Sequence, residues 1–250
     1  RALNNLPEYI NIHSFKNLTD IINSSFTFSK NYKKPNFNDL FWEPFGDPNL
    51  KTEFSSNYYI KNRIISNMGQ LNLDAHFIKF DNLIGWRPMV GTSAYWIPEN
   101  ISSANSYGTD ISFRTNPIQN TTITASYSIS ITENYNSSLS HHHSGKPLLY
   151  TPINSASLAI QQLFKQSTID ISTKFVGERI YRYSWPQDNI LPPYFSTNVS
   201  YKYQISAINK FETYFHLNSE NIFDIQYQSV FGFPVPGRSF AITITIKERK

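Results

Sequence analysis

Three consecutive histidines, His141-His142-His143, have side chains whose chemistry is easily named, since imidazole binds zinc, copper, nickel and iron. Their spacing argues against a metal centre. Neighbouring side chains on an extended chain point to opposite sides, so at most two can converge, and no further ligand stands at metal-site spacing. The expectation is an exposed polar loop able to touch a ligand, with no metal site and no cofactor. A second group is aromatic: Trp42, Phe45, Trp86, Trp96, Trp185, Phe231 and Phe233, all near long linkers. Rings in such places suit a belt at the level of lipid headgroups, or a vestibule for a large, partly aromatic chelate. The linkers holding residues 42–45 and 231–233 are the best vestibule candidates. No Ser/His/Asp set, spaced carboxylate pair or Gly-rich phosphate loop occurs, so no enzyme is expected.

The elements that must carry these residues are strands. Phe240, Ile242, Ile244 and Ile246 alternate with Ala241, Thr243 and Thr245, a period of two that puts apolar groups on one face. The same alternation recurs around residues 71–77, 122–132, 169–175, 195–205 and 211–218. Weaker runs lie near 8–14, 22–30, 54–61, 107–114 and 155–164. This predicts an all-β chain of about eleven antiparallel strands of roughly ten residues, the length a tilted strand needs to cross a bilayer. Short links near 16–20, 66–69, 116–120, 165–167 and 208–210 alternate with long ones at 31–52, 133–152, 182–194 and 228–238. The link near 86–106 is also long, with room for part of a strand. Links sorted by parity are the asymmetry of a transmembrane β-barrel. His76 and His216, with Asp74, Asp110, Arg114, Asp170, Lys174 and Lys202, fall on the polar face.

Composition agrees without deciding. Of 250 residues 16% are aromatic and 16% charged, so the surface is short of charge for a soluble domain. Mean hydropathy is −0.40, and no run approaches the roughly 18 apolar residues of a spanning helix. The absence of cysteine excludes disulfides and thiolate metal sites. A net charge of +4 without a basic block predicts no nucleic-acid partner.

Several segments resemble landmarks of TonB-dependent outer-membrane receptors. Lys34-Pro35-Asn36-Phe37-Asn38-Asp39-Leu40-Phe41-Trp42, then Gly46-Asp47-Pro48-Asn49-Leu50-Lys51-Thr52-Glu53, is similar to that family's R-x-P-S/T-x-x-D/E-L-F/Y and G-N-P-x-L-K-P-E. Asn82-Leu83-Ile84 with Asn100, Ala104 and Tyr107-Gly108-Thr109-Asp110 resembles a second pair of motifs. Gly145-Lys146-Pro147-Leu148 with Pro152 resembles the entry to a late strand. Asn221-Ile222-Phe223-Asp224 with Tyr227, then Pro236-Gly237-Arg238-Ser239-Phe240, resembles N-L-F-D-x-x-Y followed by P-G-R-x-F/Y. The closing Ile246-Lys247-Glu248-Arg249-Lys250 departs from the family's terminal aromatic.

The resemblance implies that residues 1–250 are the C-terminal half of a barrel of about 22 strands, with the N-terminal plug and first barrel half outside this chain. It implies import of a scarce bulky ligand, an iron-siderophore or cobalamin, by a plug that moves when TonB pulls. The implied partners are outer-membrane lipid, the missing half and plug on the same or a separate chain, the TonB complex through the plug, and the ligand. The implied location is the outer membrane of a Gram-negative bacterium. Two other readings fit the strands: a plugless porin-like or structural barrel, and a soluble carbohydrate-binding β-sandwich with its Ile/Phe stripe buried against a second sheet.

Overall fold

The computed structural model describes residues 11–17, 21–89, 95–135, 145–184, 186–208 and 211–248. In chain order the strands are β1 (Asn11–Asn17), β2 (Ile22–Lys33), β3 (Glu53–Ser66), β4 (Gly69–Pro88), β5 (Trp96–Thr115), β6 (Thr121–Asn134), β7 (Lys146–Pro147) and β8 (Asn154–Leu163). They continue as β9 (Ser167–Val176), β10 (Arg179–Arg182), β11 (Asn189–Leu191), β12 (Tyr194–Ile208), β13 (Phe211–Glu220), β14 (Gln228–Val230), β15 (Phe233–Pro234) and β16 (Ser239–Glu248). The only helix among the described residues is α1 (Phe37–Phe41), between β2 and β3.

The main sheet runs in the order β1-β2-β3-β4-β5-β6-β8-β9-β12-β13-β16, with β7 attached to β6. Each strand on this path pairs with the next path strand in sequence, the antiparallel meander expected from the alternating patterns. β10-β11 and β14-β15 form separate two-stranded ribbons inside the long linkers. The link assigned to 86–106 is largely strand, since β4 runs to Pro88 and β5 starts at Trp96.

The chain divides into two compact units. The second takes in Arg63–Leu73, Asp110–Ile129 and Pro152–Lys250. Its register places Leu158 opposite both Ala125 and Thr173, Ile171 opposite both Ile160 and Val199, and Leu217 opposite both Tyr201 and Ile242. Directly paired residues share a face. The apolar positions therefore merge into one surface across β6, β8, β9, β12, β13 and β16. Phe195, Leu217, Phe240, Ile242, Ile244 and Ile246 stand exposed on it, uncovered by a second sheet among the described residues, which opposes the sandwich reading. An apolar surface this continuous suits hydrocarbon rather than water. Ten residues rising about 3.3 Å each at a tilt near 45° reach about 23 Å, close to the apolar band of a transmembrane barrel.

The opposite face is polar and paired with itself. Gln161 Nε2 donates to Asp170 Oδ1 at 2.8 Å, the Ser126 and Ser157 hydroxyls lie 2.8 Å apart, and the Lys202 ammonium sits 4.4 Å from the Tyr214 ring centre. Short turns close this unit's strands, one at Asn120 in a left-handed conformation (φ 64°) that Asn tolerates better than most residues.

The first unit takes in the described residues up to Asn62, with Asp74–Thr109 and Ser130–Thr151. It follows the same rule. The Phe28 and Tyr58 rings are 4.9 Å apart and Tyr58 lies 6.2 Å from Phe77 on one face. On the other, buried Asn57 donates to Ser29 Oγ at 3.2 Å, and Tyr59 stands 6.3 Å from His76.

Candidate ligand-binding loops

In the first unit, the linker between β2 and β3 is a braced structure. Asn36 caps α1: its Oδ1 accepts from the Asp39 amide at 2.8 Å, while Asp39 Oδ2 accepts from the Asn36 amide at 2.9 Å. This reciprocal box satisfies two orphan donors of the helix start. Asp39 is only 2% exposed, and its second oxygen accepts from Trp86 Nε1 at 3.0 Å. Its carbonyl accepts from the Asp47 amide, folding the chain back over α1. Gly46 makes that return possible, because a Cβ there would stand 2.7 Å from the Leu40 carbonyl. At the strand end Asn100 accepts from the Lys51 amide at 2.7 Å and donates to the Lys51 and Asn82 carbonyls. Buried Glu53 accepts from the Ile84 amide.

Trp42 rides on this frame, 56% exposed, with its ring 5.6 Å from Trp86. Phe45 stacks on Tyr95 at 4.9 Å, and Trp96 leans on Tyr150 at 5.6 Å. Of the four aromatics singled out here by sequence, Trp42 is the one presented outward, whereas Trp86, Phe45 and Trp96 are half-buried against partners. Trp86 lies within β4, where its indole N–H serves the loop.

In the second unit, two ring stacks tie the long linker after β13 to β10 and to the start of β12. Tyr181 lies 4.3 Å from Phe231 with ring planes 3° apart, and Tyr194 lies 3.8 Å from Tyr227 at 11°. The buried Arg179 guanidinium sits 5.0 Å from the Tyr194 ring centre and donates through Nη2 to the Pro192 carbonyl, while its Nε meets no hydrogen-bond partner among the described residues. Asn221, in a left-handed conformation (φ 48°), both accepts from the Ile225 amide and donates to its carbonyl at 3.0 Å. Asp224 accepts from the Arg238 amide at 2.8 Å, and Gly237 leaves room for that carboxylate, since a Cβ would stand 2.6 Å from it. Phe231 and Phe233 remain 53% and 70% exposed. Burial raises the Tyr183 pKa above its ordinary value, with a smaller contribution from the Asp188 charge.

His141, His142, His143 and Trp185 lie outside the described residues. Among the described residues, no three His, Cys, Asp or Glu side chains gather in a way that could hold a metal ion. His76 lies 3.4 Å from the Ser130 hydroxyl, and His216 lies 6.4 Å from the Tyr214 ring. Sequence reasoning missed Arg179, Tyr181 and Tyr194, whose partners are distant in sequence. Only the motif positions of Asp39, Asn100, Asn221, Asp224 and Gly237 hinted at their bracing work.

A family model described as "TonB dependent receptor-like, beta-barrel" matches residues 14–221. A vitamin B12 transporter BtuB of Photobacterium profundum is 33% identical over 97 residues, 38% of this chain and 16% of that protein. Another, from Vibrio vulnificus, is 35% identical over 80 residues, 32% of this chain and 13% of that protein. The chain thus aligns with less than a fifth of these relatives' length. Among solved structures, the copper transporter OprC superposes with a TM-score of 0.73 at 14% identity, over 94% of this chain and 38% of OprC. The ferric citrate transporter FecA gives 0.70 at 13%, over 93% and 37%. These relatives are transporters and receptors, not enzymes. With the matched model spanning most of its strands, the chain belongs to the TonB-dependent receptor family, as part of its β-barrel.

Proposed function

We propose that this chain forms part of the wall and several capture loops of an outer-membrane receptor that imports a scarce, bulky ligand, cobalamin or an iron chelate. The reading rests on one combination: a continuous lipid-suited face, and exposed rings (Trp42, Phe231, Phe233) held on braced loops at the long-linker ends of the strands. Large, rigid aromatic surfaces on a preformed frame suit a ligand with broad apolar faces, because little ordering entropy is lost on binding. The cobalamin transporters among its relatives favour cobalamin within this class. Release then falls to the receptor's plug, moved by TonB.

The test is made on the full-length gene product. It should fractionate with the outer membrane, bind cyanocobalamin or a ferric siderophore saturably, and import it only while TonB is present. Passive permeability in liposomes with no saturable binding would favour the plugless barrel instead. A monodisperse protein purified without detergent would sink every membrane reading.

A further inference from the structure

We infer that the β10-β11 and β14-β15 ribbons, which belong to different linkers of the second unit, open and close as one element latched through Arg179. This goes beyond the proposed import role, since it concerns how the loops move with no ligand present.

No strand pairing joins the two ribbons, which form separate two-stranded sheets. Side chains make the connection instead, through two ring contacts. Arg179 and Tyr181 stand two residues apart on β10, so they share a face and lie about 7 Å apart along it. Tyr181 lies directly on the Phe231 ring, 4.3 Å away and 3° from parallel. Arg179 acts through an intermediary: its guanidinium lies 5.0 Å from the Tyr194 ring centre, and that ring stacks on Tyr227 at 3.8 Å. One contact would let the ribbons swivel about it, whereas two also fix their relative orientation.

Each ribbon is braced well enough to pass a displacement on. In the second, Gly232 (φ 81°) turns the chain after Phe231, its amide donates to Gln228 Oε1 at 2.9 Å, and the Val235 amide closes on the Tyr227 carbonyl. Tyr227 and Phe231 thus sit at the base and the tip of one hairpin. In the first, Arg179 pairs in register with Leu191, and the two are only 5% and 4% exposed. A buried guanidinium is costly unless its surroundings satisfy it. Here the Pro192 carbonyl accepts from Nη2 at 3.1 Å and the Tyr194 ring faces the charge. Displacing Tyr227 withdraws support from that ring, and so from the site that makes the buried charge tolerable. Coupling of this kind is reciprocal: loosening Arg179 must loosen the β14-β15 ribbon in turn.

Hydrogen exchange on the full-length protein in detergent micelles, without ligand, reads peptides from both ribbons. R179M removes the charge and the planar group while keeping much of the apolar volume. Peptides from β10 and β11 should exchange about thirtyfold faster, the factor that follows from losing one desolvated cation–π contact. Peptides from β14 and β15 should accelerate by a similar factor, although Arg179 reaches them only through Tyr194. Y227L, made in the other linker, should speed β10 and β11 about fivefold, while Y227F keeps the ring and should match the wild type. F233A, which removes a ring that is 70% exposed, should leave β10 and β11 unchanged. The Tyr227 pair carries the same test should R179M fail to fold. Acceleration confined to the linker that bears the substitution would overturn the latch. So would Y227F behaving like Y227L, which would trace the effect to the hydroxyl rather than the stack.

Discussion

Trp86 separates two roles that its sequence position leaves open, since the same indole could touch ligand or brace a loop. Its Nε1 donates to Asp39 Oδ1 at 3.0 Å, and Asp39 is 2% exposed, so W86F leaves one oxygen of a buried carboxylate without that donor. Hydrogen bonds to charged groups contribute about 1.5–3 kcal/mol, and the phenyl ring keeps much of the contact with Trp42. A cost near 2 kcal/mol follows for the folded loop, equivalent to a roughly thirtyfold rise in its open population. Hydrogen exchange on the full-length protein reads this at the Trp42 and Asp47 amides, which donate to the Asn38 and Asp39 carbonyls. Ligand affinity should change less than about twofold, because a loop that stays mostly closed remains competent to bind. A double-mutant cycle of W86F with D39N isolates the pair and should return a coupling above about 1 kcal/mol. Unchanged exchange with a tenfold loss of affinity would make Trp86 a ligand contact and refute the brace.

The other loops give parallel expectations. N221A removes both bonds to Ile225 and puts alanine at φ 48°, so the linker after β13 should lose roughly 3 kcal/mol of local stability and become open to limited proteolysis; N221G should recover only the backbone share. F231A should cost about 1 kcal/mol beyond lost area through the Tyr181 stack, whereas F233A should leave stability within about 0.5 kcal/mol, as chemical denaturation of each variant would read. Burial holds the Tyr183 pKa above its usual value, so the neutral phenol is the form the fold favours. The linker's stability is therefore intact below the ordinary tyrosine pKa of about 10 and falls as pH climbs past it. Y183F should abolish this alkaline loss in exchange measurements.

The strands were legible where lipid and water impose opposite demands on successive residues. Phe240 to Ile246 alternates cleanly and forms β16 over Ser239–Glu248. β4 and β5 were underread for the same reason. Past Phe77 the odd positions turn to Lys79 and Asp81 while Ile78 and Phe80 take the even ones, so the parity that marks the lipid-facing side reverses although the strand continues to Pro88. The ribbons β10-β11 and β14-β15 have too few residues for any period to show. At the loops, aromatic type located the right neighbourhoods but not the roles. Trp42 and Phe233 are exposed, yet Trp86 and Trp96 lie in strands against Asp39 and Tyr150, partners 47 and about 54 residues away that no local pattern encodes. Arg179 was invisible because its partners, the Tyr194 ring and the Pro192 carbonyl, exist only once the linker folds back.

The 20-residue length of β4 turns it into a depth gauge. At about 3.3 Å per residue and 45° it extends about 47 Å, nearly twice the apolar band. Its odd-numbered face should therefore change solvent along its length. Arginine introduced at Leu73 or Ala75 should cost about 2–4 kcal/mol if those sites lie near the bilayer midplane, and close to nothing at Asp81. A tolerance scan along that one strand would mark where hydrocarbon gives way to water, to within a residue pair.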